Sequence, residues 1–156
     1  MKVCVTGATG FVGSALVELL SSLDKYEVSA VSRRLDNKFD SKVKVINLTD
    51  IGMSSSIIGQ LQGTDVIVHA AGRAHVMREK QKDPLSEFRR INTQGTLDLA
   101  RNASAAGVKR FIFLSSIKVN GEFSTLGLPF NVASKEKPVD DYGLSKYEAE
   151  LGLRSI

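Results

Sequence analysis

The chain has 156 residues, 42% of them hydrophobic, with 21 Lys and Arg against 17 Asp and Glu for a formal net charge of +4. That length suits one domain with a core of its own, and no apolar run approaches the ~20 residues of a membrane span. The positive residues are scattered over Arg33-Arg34, Arg89-Arg90 and Lys135 to Lys137. A nucleic-acid surface would need a concentrated patch or interleaved aromatics, so that class is set aside.

In chain order, the apolar run 3–5 reads as a short strand buried on both faces. It holds Cys4, the only cysteine, which reads as a small buried hydrophobe with no internal partner. Residue 2 already falls in this strand, so no leader is expected and a cytoplasmic location is the default. A glycine-spaced turn follows, then a helix expected over 11–23. Further strands are expected over 27–31, 43–46, 65–69 and 110–114, and helices over 54–61, 84–106 and 142–153. Asp83-Pro84 gives an N-cap with proline at the first helical position, and Gly107 ends that helix. The stretch 121–140 carries glycine, two prolines and no regular period, which predicts a long loop. The alternation predicts an α/β fold: one Rossmann-type, doubly wound parallel sheet over 1–156, with helices on both faces.

The turn Gly7-Ala8-Thr9-Gly10-Phe11-Val12-Gly13 has a physical reason at each glycine. Gly7 permits the tight turn, Gly10 lets backbone approach a phosphate, and Gly13 lets the helix pack closely on the strand. The helix then aims its free N–H groups and positive dipole end at a pyrophosphate. Placed between a strand and a helix, this spacing points to a dinucleotide.

Near the other end, Phe111 to Ser116 reads as a buried strand emerging into two hydroxyls at its carboxyl end, where open parallel sheets bind ligands. Further on, Tyr142 and Lys146 stand four residues apart, on one helix face. A free phenol titrates near 10, and bringing one to neutral pH takes roughly 4 kcal/mol. One positive charge about 4 Å away, at an effective dielectric near 20, supplies an interaction of that size. The pair therefore points to proton transfer alongside a hydride-carrying cofactor.

These segments resemble the extended short-chain dehydrogenase/reductase family, in its nucleotide-sugar epimerase/dehydratase branch. The matching stretches are Val5 to Gly13, Asp65 to Gly72, Asn92-Thr93-Gln94-Gly95-Thr96, Phe111 to Ser116 and Tyr142 to Lys146, in family order. The resemblance implies that Gly7, Thr9, Gly10, Phe11 and Val12 line the pyrophosphate turn, with Gly13 beneath it. It implies that Ala70, Ala71 and Gly72 pass along the riboses and that Asn92 flanks the cofactor. Ser116 would hydrogen-bond the sugar oxygen, chosen over Ser115 by aligning Gly121 with the family's glycine. Tyr142 would be the acid/base, and Lys146 would hold the nicotinamide ribose.

Three departures refine this. NAD-preferring members end the second strand with an acidic residue, whereas Val31-Ser32-Arg33-Arg34 stands here and favours NADP over NAD. Asn47-Leu48 replaces the family's Asp-Leu beside the adenine. Ile117-Lys118 stands where the 4,6-dehydratases carry Asp-Glu, which lowers that reaction. The stretches His69 to Met77 and Ser115 to Gly121 look like the surface-polysaccharide subgroup, whose members are 4-epimerases or 4-ketoreductases acting on UDP-N-acetylhexosamines. His69 and His75 read as structural, and no metal site is expected. The resemblance also implies an absent C-terminal substrate domain, a chain of reduced turnover, and a homodimer through the helices near 84–106 and 142–153. A catalytically silent NADP-binding regulatory module is the alternative.

Overall fold

The computed structural model describes residues 1–34, 39–74, 83–132 and 137–156. They fall into two compact units, Met1–Gly72 with Asp98–Leu114, and Arg73–Leu97 with Ser115–Ile156.

The first unit is built on five parallel strands: β1 (Lys2–Thr6), β2 (Glu27–Ser32), β3 (Lys44–Asn47), β4 (Val66–His69) and β5 (Arg110–Phe113), in the spatial order β3-β2-β1-β4-β5. The order reverses direction at β1, so the segment leaving β1 and the segment leaving β4 emerge side by side. Register places Val5 opposite both Ala30 and Val68, and Thr6 opposite both Val31 and His69. The alternation of side chains makes two cores. Val3, Val5, Val28, Ala30 and Val68 face one side, where Val17 of α1 (Phe11–Ser21) packs. Cys4, Val31, Ile46 and Ile67 face the other, with Ile57, Leu61, Leu99 and Ala103. Both faces are covered over β1, β2 and β4, as a parallel sheet requires, whereas β5, expected to be buried, is an edge strand with Ile112 exposed.

The expected strands and helices have counterparts with ends differing by a residue or two, except the helix expected over 54–61, of which only Ile58–Leu61 is α-helical. Two helices differ in kind. Residues 51–61 form a 3-10 segment (Ile51–Ile57) and then one turn of α2 (Ile58–Leu61). The Ser-rich run favours local hydrogen bonds, as from Ser56 Oγ to the Met53 carbonyl at 2.7 Å. The helix expected over 84–106 is α3 (Pro84–Phe88), a π-helical segment (Arg89–Gln94) and α4 (Gly95–Ala105). Asp83 caps its start by accepting from Ser86 N at 3.1 Å.

In the second unit, α5 (Asp141–Leu153) packs on α3 and the π-helical segment. Arg89 holds Glu148 through a fork of hydrogen bonds at 2.6–3.1 Å, and Thr93 donates to the Ser145 carbonyl at 2.8 Å. A 3-10 turn (Ile117–Asn120), not expected from the sequence, follows Ser116. Beyond it, the described part of the expected loop carries an isolated bridge between Thr125 and Leu128.

Candidate functional site

The glycine turn is packed backbone against backbone. Gly7 has φ +67°, and a Cβ there would lie 2.6 Å from the Ala70 carbonyl carbon and the Ala71 nitrogen. At Gly13 a Cβ would fall 2.1 Å from the Gly7 oxygen, while Gly10 N donates to that oxygen at 2.9 Å. Helix α1 therefore starts directly over the end of β1, beside Ala70 and Ala71. No side chain caps its first turn and no acidic residue lies in it. Unpaired backbone donors, a positive dipole end and a cradle that side chains would fill fit a diphosphate. Thr9, Gly10, Phe11 and Val12 are exposed around the turn, Phe11 at 95%.

The end of β2 offers polar groups beside this turn. Ser32 is buried and its Oγ accepts from Arg34 N at 3.1 Å, which leaves Arg33 exposed at the tip. Asn47 donates from Nδ2 to the Ser32 carbonyl at 3.3 Å. Leu48 is expected beside an adenine. Its side chain is buried in the core with Ile46, Ile57 and Leu61, because it follows β3 onto the covered face. Ala70 and Ala71 are half-buried and Gly72 is exposed, continuing the ribbon past β4.

His69 is structural. It is 1% exposed, its Nδ1 sits 2.6 Å from Thr6 Oγ1, and its ring lies within 5.8 Å of Phe111 and Phe113. His75 lies outside the described residues. Among the described residues, no group of three or more His, Cys, Asp or Glu is placed to hold a metal ion. Burial pushes the Cys4 thiol up to about 12 against a weaker pull from Lys44, so it is unreactive at neutral pH.

The second unit carries Ser116, Tyr142 and Lys146, the side chains expected to do chemistry. Tyr142 and Lys146 lie in the first two turns of α5, and Tyr142 meets Phe88 edge-on with ring centroids 6.2 Å apart. Lys146 is only 3% exposed, and burial brings its ammonium from 10.5 down to about 8, with Glu150 pulling the other way. An ammonium held in a buried position acts through a lower effective dielectric than one in water. Ser116 ends its extended stretch by accepting from Lys118 N at 3.3 Å, which leaves its hydroxyl proton to donate elsewhere. The neighbouring Ser115 Oγ is buried with no hydrogen-bond partner.

Two residues acquire partners that the sequence does not give. Asn92, expected to flank a cofactor, is 1% exposed, and its amide engages protein. Its Oδ1 accepts from Arg73 N at 2.8 Å, and Nδ2 donates to the Arg73 carbonyl at 2.9 Å and to Ser145 Oγ at 3.0 Å. It therefore ties the segment after Gly72 to the helix of Tyr142 from within a π-helical turn, a feature frequent at functional sites. Asn92→Ala is expected to lose all three bonds and strand buried partners, costing about 2–4 kcal/mol in urea unfolding. A loss below ~1 kcal/mol would contradict this account. Gly143 is the second. A Cβ there would lie 2.8 Å from the Lys118 carbonyl oxygen, so the glycine lets the 117–120 turn close on α5. The signal was a glycine in a helix, which costs about 1 kcal/mol unless a close approach requires it.

Asp140 caps α5 by accepting from Gly143 N at 2.6 Å, and its other oxygen takes the Lys118 ammonium. Burial works against the charged carboxyl, but the Lys118 and Gly143 contacts prevail and hold it below the usual carboxylate value.

A UDP-glucose 4-epimerase of Vibrio cholerae is 47% identical over 155 residues, covering 99% of this chain and 47% of that protein. A dTDP-D-glucose 4,6-dehydratase of Mus musculus is 30% identical over 166 residues, covering 99% of this chain and 45% of that one. Among solved structures, the Bordetella bronchiseptica enzyme WbmG in complex with NAD superposes with a TM-score of 0.79 at 25% identity, covering 99% of this chain and 49% of its own. The chain thus spans about half the length of the relatives it matches. The family model for NAD dependent epimerase/dehydratase proteins runs from residue 3 to residue 156, through both the glycine turn and the helix of Tyr142, and this chain belongs to that family.

Proposed function

We propose that this chain supplies the dinucleotide-binding and proton-transfer residues of a nucleotide-sugar 4-epimerase or 4-ketoreductase acting on a UDP-sugar in surface-polysaccharide biosynthesis. The observation that carries the reading is Lys146, a buried ammonium one helical turn from Tyr142 on the same helix. A structural lysine would extend its charge to water; burial of this one serves the phenol's proton chemistry.

The pyrophosphate would lie on Gly7, Gly10 and the first turn of α1, with Ser32 and Arg33 at the adenosine ribose. When bound, the nicotinamide would supply or accept a hydride at sugar C4. Tyr142 Oη takes the proton from the C4 hydroxyl and gives it back, and Ser116 Oγ donates to the same oxygen. Lys146 would hold the nicotinamide ribose. Ile117 and Lys118 have no carboxyl for eliminating water, which argues against a dehydratase. A second copy would pair through α3–α4 and α5. Among the described residues, no helix is long and apolar enough to cross a membrane.

Calorimetric titration tests this. NADP(H) is expected to bind in the micromolar range and more tightly than NAD(H). Arg33→Ala should weaken NADP(H) about 10- to 100-fold, the size of one charge-assisted contact, and leave NAD(H) within about twofold. Equal effects on both dinucleotides would remove the NADP assignment. Failure to bind either would remove the functional reading.

A further inference from the structure

Lys118 touches the catalytic elements with three different groups. Its backbone N–H donates to Ser116 Oγ at 3.3 Å. Its carbonyl packs where Gly143 lacks a Cβ, one residue past Tyr142. Its ammonium bonds Asp140, the N-cap of the helix that carries Tyr142 and Lys146, and reaches Glu122 at 3.5 Å. We propose that Lys118 and Asp140 form a positioning clamp that fixes the Ser116 hydroxyl relative to the Tyr142 phenol. The inference rests on the functional reading above for its catalytic consequence, but its geometric content stands apart from it.

As an ordinary surface ion pair this contact would do little. The two side chains are 41% and 38% exposed, and pairs at such exposure contribute little to stability. The placement is what distinguishes it. Asp140 divides its oxygens, one to Gly143 N inside the helix and one to Lys118 outside it. The same carboxylate thereby orients the first turn of α5 and anchors the turn that starts at Ser116. Where the dehydratase pattern places a carboxylate that reacts, this chain has a cation that holds.

The lesions separate clamping from capping. Asp140→Asn keeps an oxygen for Gly143 N and loses the charge that Lys118 holds. Lys118→Met removes the ammonium and keeps the backbone contacts. Both are expected to melt within about 2 °C of the parent. The full chain, labelled with 3-fluorotyrosine, reports Tyr26, Tyr142 and Tyr147 separately by fluorine NMR, with Tyr142→Phe assigning the resonance. In either variant the Tyr142 signal should shift or broaden, while Tyr147, farther along the same helix, and Tyr26 stay in place. Lys118→Arg should restore it. With cofactor and a UDP-sugar, kcat should fall at least about tenfold with KM within about twofold. The double variant should be no worse than either single one.

An unmoved Tyr142 resonance in both variants overturns the clamp, as does a shift shared equally by Tyr147, which would mean plain helix loss. If the parent chain binds neither dinucleotide, the functional reading fails, and the fluorine spectra still decide the clamp.

Discussion

Gly13→Ala is expected to lower stability by at least about 3 kcal/mol, seen as a drop in the urea midpoint with an unchanged slope. The added carbon would sit 2.1 Å from the Gly7 oxygen and 2.7 Å from the Gly7 carbonyl carbon. Both atoms are backbone, and the same oxygen accepts from Gly10 N, so no rotamer change relieves the clash. Either α1 lifts from the sheet or the turn opens. Both outcomes spread the phosphate cradle, so dinucleotide binding should fall with stability. For a domain of ordinary stability, about 5–15 kcal/mol, a large fraction of the molecules would be affected on mild heating. Gly59→Ala is the matched control. It lies in α2 with nothing within 4 Å of the added carbon and should gain about 0.5–1 kcal/mol. Equal effects at the two glycines would show that the cradle is not close-packed.

Lys146→Met is expected to stabilise the chain at pH 7 by about 1–3 kcal/mol. The lysine titrates at about 8 in the folded chain, against an ordinary 10.5. Between those values the unfolded state binds more protons than the folded one, so stability rises with pH across that window. Below about pH 8 both states are protonated and the full penalty of the buried ammonium is present, about 3 kcal/mol at ~1.4 kcal/mol per pH unit. Methionine has similar length and no charge to desolvate, and it forfeits the contacts the ammonium makes. Urea unfolding from pH 7 to 10.5 provides the check. The parent should gain stability relative to the variant as pH rises, and the two curves should converge near 10.5. A variant less stable than the parent at pH 7 would mean that pairing of the ammonium outweighs its desolvation. A residue kept at a cost to stability is what a site serving chemistry produces.

Much of this was legible in the residues alone. The apolar run at 3–5 marks a strand buried on both faces, and the glycine spacing after it marks the turn to α1. Asp83-Pro84 marks a helix start through local hydrogen bonding and a fixed φ. These features follow from interactions within a few residues, where side-chain type decides backbone shape. Tyr142 and Lys146 were legible for the same reason, since a spacing of four fixes a shared face.

Other features depended on residues far apart in the chain. Leu48 reads as a companion of Asn47, but packing against Ile57 and Leu61 takes its side chain into the core. Asn92 sits in a run with ordinary helical periodicity, and only its bonds to Arg73 and Ser145 account for a buried amide and a π-helical turn there. Lys118 reads as the loss of a carboxylate, and Asp140 as the end of a loop; only the tertiary structure joins them. Sequence determined the strand order's raw material, the phosphate turn and the phenol–ammonium pair, because each is set by local stereochemistry. Tertiary structure alone decided which polar groups are desolvated and which partners they meet, because burial and long-range contact belong to the folded chain as a whole.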